Sequence, residues 1–286
     1  MSVLFDEGPL QTSRLTLHCV QTARPQSALR KVLFLGGSNF DLTLKRDFEA
    51  SPLVHHGDFA TYEPRGIGHS DRPDGAWSMA DYAADALSVL DALNWATALV
   101  VGESFGGMTA LHLAQLAPER VEALVISSTT PGGAGGASYD IAEFLHMSRK
   151  EAARRSLAIL DTRNVSFAQT DPKAFATKLA ARVEFEKAFA ASSMVHGGYQ
   201  RLLAARAGHD IWSALPDIAV PTLVLSGRHD AQAPLDAQTR LAESLPRATH
   251  WVRSEGHGVM FSDPTVLREA LNQWLPSVAP EQKAAG

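Results

Sequence analysis

Residues 99–107 read Leu99-Val100-Val101-Gly102-Glu103-Ser104-Phe105-Gly106-Gly107. An apolar, β-branched run stops at a glycine, and a serine stands midway between Gly102 and Gly106, ahead of the helix-forming MTALHLAQL. A serine hydroxyl is a poor nucleophile until it is exposed, aimed and relieved of its proton by a neighbouring base. A very tight turn from strand into helix achieves the first two. It lifts the oxygen out of the sheet, and glycines two residues to either side admit the close backbone contacts the turn imposes. The helix that follows points N–H groups and positive potential at the same place. Ser104 is the candidate nucleophile.

Outward from this turn, short β-rich runs alternate with helical patterns, the signature of a mostly parallel sheet flanked by helices. Leu15 to Val20 alternates apolar and polar residues, as an edge strand would. Lys31 to Leu35 (KVLFL) is a continuous apolar run ending at Gly36-Gly37, the pattern of a buried strand entering a loop. Phe59 to Tyr62 predicts a strand that ends in EPRGIGHSDRP. Ser78 to Leu93 has helical spacing, with Ser78 as its N-cap. Strand, helix and strand follow at Ala98–Val101, Gly106–Leu116 and Val121–Ser127, and again from Pro221 onward at 221–226, 235–245 and 249–252, with a last helix over 264–275.

Between these blocks the pattern changes. Pro131 to Tyr139 (PGGAGGASY) reads as a flexible loop or hinge, and Tyr139 to Asp210 is helical, without strands. The expected organisation is a sheet domain of residues 1–130 and 211–286 with a helical cap inserted at 131–210. The tail from about Ala279 is expected to fray.

A base must reach Ser104. His257 lies in SEGHGVM, directly after a strand and between two glycines, and loops at the carboxyl ends of parallel strands open on one side of the sheet. His69 and His229 are its rivals. A serine on such a turn is served by an acid and then a base further along the chain. Asp230, in LVLSGRHDAQAP after the strand at 221–226, meets that order, whereas SSTTPGGAGGAS, one strand earlier, holds no carboxylate. Asp230 would hold the histidine in the required tautomer and stabilise the imidazolium.

Composition excludes several alternatives. The chain of 286 residues is 45% hydrophobic and 20% charged, as ordinary globular domains are. A net charge of −5 and the lack of any long Lys/Arg run argue against nucleic acid as a partner. Cys19 stands alone and has no internal disulfide partner, which fits a reducing compartment. The N-terminal residues carry no signal-like pattern, and no stretch reaches the roughly 18 apolar residues of a membrane span. His55 and His56, being adjacent, would face opposite sides of a strand, so no metal site is expected. The expectation is a cytoplasmic monomer or homodimer acting on a small-molecule substrate, with no cofactor, metal, nucleic-acid or membrane partner.

With these residues in hand, the chain resembles the α/β-hydrolase superfamily over nearly its full length. LFLGGSNFDL, YEPRGIGHSDRP, VVGESFGGMTALHLAQLAPERVEALV, VPTLVLSGRHDAQAP and SEGHGVMFSDP carry the likeness. It looks nearest to small bacterial esterases and enol-lactonases with a helical cap, and the GESFGG elbow is also similar to that of hydrolases cleaving carbon–carbon bonds in ring-fission products. The resemblance implies an oxyanion hole from the backbone N–H of Phe105 and of Ser38, with Asn39 as the neighbouring alternative. Many relatives have His-Gly where this chain has Gly36-Gly37; that pair reads equally as a permissive turn or as a special role for Gly37. Gly37, Asn39, Phe144, Met147 and Met260 are the expected substrate contacts. Glu103 either lines the pocket or shapes the elbow, Arg65 and Asp71 read as structural loop residues, and the cap arginines suit either an anionic substrate or a solvated face. The implied activity is hydrolysis of a small ester or lactone through an acyl-enzyme. Carbon–carbon hydrolysis with the same three residues is the alternative, and a non-catalytic ligand-binding protein is the alternative of another class.

Overall fold

The computed structural model describes residues 3–26 and 29–279. Eight strands form one sheet: β1 (Phe5–Gln11), β2 (Thr16–Thr22), β3 (Lys31–Leu35), β4 (Asp58–Tyr62), β5 (Ala98–Glu103), β6 (Val121–Ser127), β7 (Thr222–Gly227) and β8 (Ala248–Arg253). Their order is β1-β2-β4-β3-β5-β6-β7-β8. β1 and β2 pair antiparallel with each other, β2 pairs antiparallel with β4, and every pairing from β4 to β8 is parallel. The sheet with flanking helices is the α/β architecture expected from the sequence.

One expectation is corrected. Residues 15–20 form no edge: β2 lies between β1 and β4, and β1 takes the edge. Alternation reports that one face of a strand is less covered, and an inner strand of an antiparallel pair satisfies that as well as an edge strand does.

The helices are α1 (Met79–Ala92), α2 (Phe105–Leu116), α3 (Arg149–Leu160), α4 (Arg163–Thr170), α5 (Pro172–Ser193), α6 (Gly198–Ala207) and α7 (Leu235–Ser244), followed by a short α8 (Val259–Ser262). Ser78 starts α1 with a capping box, exchanging hydrogen bonds with Asp81. The period-2 alternation of β3 divides the core. Leu33 and Leu35 join the cluster beneath α1, α2 and α7, while Val32 and Phe34 join the opposite cluster with Phe48, Leu271 and Trp274. The described C-terminal segment is helical from Pro264, through a π-helical turn at Ala270–Trp274, to Val278. Beyond Ala279 the expected tail lies outside the described residues.

The regular elements between β6 and β7 are helical, and α3, α5 and α6 line the cavity at the end of the sheet where Ser104 lies. Within the expected cap, α3 and α5 share a small apolar cluster, Ala153, Leu157, Phe175 and Leu179. The glycine-rich entry, read from the sequence as a flexible loop or hinge, has a defined turn geometry. It folds into a turn in which Gly132 bridges to Gly136 and Asp210, and Gly135 sits against Trp212. Gly132, Gly133 and Gly136 take positive φ there, a conformation that glycine adopts without a Cβ penalty.

Candidate active site

The elbow forms because two glycines permit contacts that no other residue would. A Cβ on Gly106 would lie 1.9 Å from the Leu35 carbonyl oxygen, and one on Gly102 would lie 2.6 Å from the Gly106 oxygen. The turn is thereby pressed against β3. Ser104 itself has φ 55° and ψ −114°, a strained backbone for a residue with a side chain. Its N–H is held by Ser127 O at 2.8 Å, and its carbonyl accepts from Met108 N at 3.1 Å as α2 begins.

β7 and β8 deliver the other two groups. Asp230 follows β7, and its Oδ1 accepts from the Ala233 N–H at 2.8 Å. His257 follows β8 and joins the two ends: its Nδ1 lies 3.0 and 2.9 Å from the Asp230 oxygens, and its Nε2 lies 2.9 Å from Ser104 Oγ. All three side chains are buried. An acceptor on Nδ1 fixes the tautomer that leaves Nε2 free to take a proton from Ser104.

Cap residues hold both of these loops. The last carbonyls of α3 have no partner within the helix. Ile159 O accepts from Ala231 N and Gln232 N, and Leu160 O accepts from His257 N at 2.7 Å. Thr162 N donates to His229 O and Tyr139 N to Gln232 O. From the other side, Ser128, in left-handed conformation at φ 52°, donates its hydroxyl to the His257 carbonyl. The end of α3 is therefore wedged between the Asp230 and His257 loops.

Among the described residues, neither the Phe105 nor the Ser38 N–H donates a hydrogen bond within the chain. Gly37 faces the nucleophile, since a Cβ placed on it would stand 3.8 Å from Ser104 Cβ with nothing nearer. A cavity of about 730 Å³ opens on Ser104 and His257. Gly37, Ser38 and Asn39 line it from the sheet domain, and Phe144 and Met147 from the cap. Met260 does not line it. It is fully buried and lines a neighbouring cavity of about 490 Å³ with Phe34, Phe40, Phe48 and Phe261, because α8 turns it into the core beneath β3. The two cavities share Lys45, Glu103 and Gly258.

Of the rival histidines, His69 is exposed beside Glu63, and the His229 ring sits 3.3 Å from Thr162 Oγ1. Arg65 makes a paired contact with Asp85, at 2.6 Å for each bond, and Asp71 accepts from Thr16 N, so both tie loops to the fold. Two cavity residues, Lys45 and Gln232, were not singled out from the sequence, and a third, Arg182, was read there with the other cap arginines as suiting either an anionic substrate or a solvated face. Lys45 donates to Asn39 Oδ1 at 2.7 Å; burial holds its ammonium below the usual pKa, opposed by nearby Glu103 and reinforced by Arg182. Arg182, read only as one of several cap arginines, pairs with Glu186 at 2.7 Å, and its buried Nε is unpartnered among the described residues. Gln232 brings its amide to 2.9 Å from His257 Nε2. Position two after the candidate acid, in the same loop, was the available signal for Gln232. Lys45 and Arg182 meet only through the tertiary fold. No group of three or more His, Cys, Asp or Glu among the described residues is arranged to hold a metal, and no described helix is long and apolar enough to cross a membrane.

The sequence profile of the α/β-hydrolase-fold family matches residues 34–264, and the chain belongs to that family. Its similarity to named relatives is that of a hydrolase. It is 33% identical over 212 residues to 2-hydroxymuconate semialdehyde hydrolase of Pseudomonas putida, covering 69% of this chain and 71% of that one. It is 32% identical over 230 residues to the putative carbamate hydrolase RutD of Variovorax paradoxus, covering 76% and 81%. The crystal structure of an enol-lactonase from Burkholderia xenovorans superposes with a TM-score of 0.73 at 21% identity, covering 94% of this chain and 98% of that one, a likeness of fold.

Proposed function

We propose that the protein is a serine hydrolase that cleaves a small carboxylic ester or lactone through an acyl-enzyme. The observation that carries this reading is the placement of Ser104 Oγ and the Asp230 carboxylate on opposite nitrogens of His257, with Ser104 and His257 on the wall of the cavity. Ser104 attacks the substrate carbonyl while His257 Nε2 takes its proton, and Asp230 stabilises the resulting imidazolium. The Phe105 and Ser38 N–H groups receive the developing oxyanion, each worth on the order of 3–4 kcal/mol. His257 then protonates the leaving oxygen and activates water. His257 relays each proton, the second of them from the water, and the chain's own N–H groups stabilise the charge, so no cofactor enters the scheme. A small-molecule substrate and a cytoplasmic setting belong to the same reading, the latter supported by the lone, buried Cys19.

A second reading, carbon–carbon bond hydrolysis of a ring-fission product, uses the same three residues. The similarity to 2-hydroxymuconate semialdehyde hydrolase favours it, together with the cations Lys45 and Arg182 on the cavity wall, which suit an acidic substrate. Turnover of a chain-length series of nitrophenyl esters by the wild type and by Ser104→Ala separates the readings. Ester turnover that vanishes in the folded variant supports the first. No ester turnover, with activity on dienoic diketones, supports the second.

A further inference from the structure

His257 Nε2 has two neighbours. Besides Ser104 Oγ, the side-chain amide nitrogen of Gln232 stands 2.9 Å away. With Nδ1–H given to Asp230, Nε2 offers one in-plane lone pair, which serves one strong donor and not two. Support of the resting ring therefore does not account for Gln232. Its backbone is clamped on both sides, its N–H by Ile159 O and its carbonyl by Tyr139 N. Its side chain is buried, yet lines the catalytic cavity. The amide is thus fixed beside the place that any oxygen exchanging a proton with Nε2 must occupy.

We propose that Gln232 holds the water that deacylates Ser104, an inference that rests on the serine-hydrolase reading. Once Oγ is esterified it has no proton to give, and Nε2 is open to a new donor. A water there donates one hydrogen to Nε2 and accepts from the Gln232 N–H, which leaves a lone pair for the acyl carbon. Attack forms the new C–O bond as the water's proton passes to Nε2. Collapse breaks the bond to Oγ, which recovers that proton from Nε2, and the carboxylic acid leaves. Turned about its last torsion, the same amide presents its oxygen to the charged ring's Nε2–H, so one side chain suits both protonation states.

Rapid mixing with nitrophenyl acetate tests this by reading two steps separately: nitrophenolate release for acylation, and intact mass for decay of the acyl-enzyme. Gln232→Leu is expected to leave acylation within about twofold while prolonging the acyl-enzyme by roughly ten- to a hundredfold. Gln232→Asn keeps an amide that falls one methylene short, and should behave as the leucine variant does, in a protein whose polarity is unchanged. An acyl-enzyme lifetime equal to wild type in both variants overturns the proposal. So does an equal loss in both steps, which is the mark of a structural role. A wild type that forms no acyl-enzyme takes down the serine-hydrolase reading, and this proposal with it, before any variant is compared.

Discussion

The carbonyl of Leu160, the last residue of α3, accepts a hydrogen bond from the backbone N–H of His257 at 2.7 Å. A cap helix and the loop of the candidate base are joined there with little slack, since a Cβ on Gly256 would stand 2.1 Å from the same oxygen. The cap is thus part of what fixes the ring against Ser104. Any opening of the cavity has to come from elements other than the end of α3.

Gly256→Ala is accordingly expected to push the His257 loop off α3 and lower kcat on a nitrophenyl ester by roughly tenfold or more, since misplacement on the ångström scale carries such losses. Gly8→Ala, where a Cβ meets nothing within 4 Å, is the control and should leave activity unchanged. Equal activities in the two variants would show that the α3 contact does not position the base.

Asp230→Asn keeps the shape of the side chain but offers an N–H where His257 Nδ1–H needs an acceptor. The ring then favours the wrong tautomer, and kcat should fall by about 10³–10⁴ with the melting temperature little changed. Steady-state rates with a thermal melt check this. A loss below about tenfold would mean that Asp230 does not orient His257.

The two glycines that approach Ser104, Gly106 in the first turn of α2 and Gly37 in the loop after β3, should differ sharply. Gly106→Ala drives a Cβ into Leu35 O and is expected to destabilise by roughly 3 kcal/mol or more, read from denaturant unfolding. Gly37→Ala meets nothing closer than 3.8 Å and should fold as wild type, with any effect confined to kcat. Unimpaired stability of Gly106→Ala would contradict the close packing of the elbow on β3.

Lys45 and Arg182 put two cations on the wall of the cavity, and Arg182 keeps a buried N–H to spare. Arg182→Leu should raise KM for an ester carrying a free carboxylate by about tenfold while leaving a neutral ester of the same size nearly unaffected, a charged hydrogen bond being worth about 1.5–3 kcal/mol. The ratio of the two kcat/KM values is the measurement; a common change in both would assign Arg182 to cap structure through Glu186.

The fold was legible because its signals are local. KVLFL, the capped helix from Ser78, and the strand, elbow and helix around Ser104 each state their own conformation, and parallel strands joined by helices leave few topologies open. Ser104, Asp230 and His257 could be named for the same reason: each stands just past a strand, and such loops converge at one end of the sheet. The contacts from the cap were not legible. That Leu160 meets His257, or that Arg182 approaches Lys45, follows from how the inserted helices settle on the sheet, and no spacing in the sequence encodes it. Met260 shows the limit inside the sheet domain too: three residues beyond His257, it has already turned into the core.

The two chain crossings between the sheet and the helices inserted after β6 offer the last test. His112 on α2 and His209 just after α6 share a hydrogen bond of 3.1 Å, and His209 Nε2 reaches Thr130 O at 2.8 Å, so the pair ties the nucleophile's helix to both the entry and the exit of the cap. Burial pushes each imidazole down to about 4, with mutual repulsion adding to it for His112 and the Thr130 bond opposing it for His209. In the unfolded chain both titrate near their ordinary value of about 6.5, so below that pH the unfolded state binds more protons than the folded one. The pair's contribution to stability is then complete above about pH 6.5, falls as the pH drops from there to about 4, and levels off below. A shift of this size in one histidine corresponds to about 3 kcal/mol, and the pair, being coupled, should give less than twice that. Denaturant unfolding between pH 7 and 4 measures the slope, and His112→Gln with His209→Gln should flatten it, leaving the share of His250, whose pKa burial also lowers. A slope unchanged in the double variant would place the acid sensitivity elsewhere in the chain and leave the histidine pair a neutral clasp.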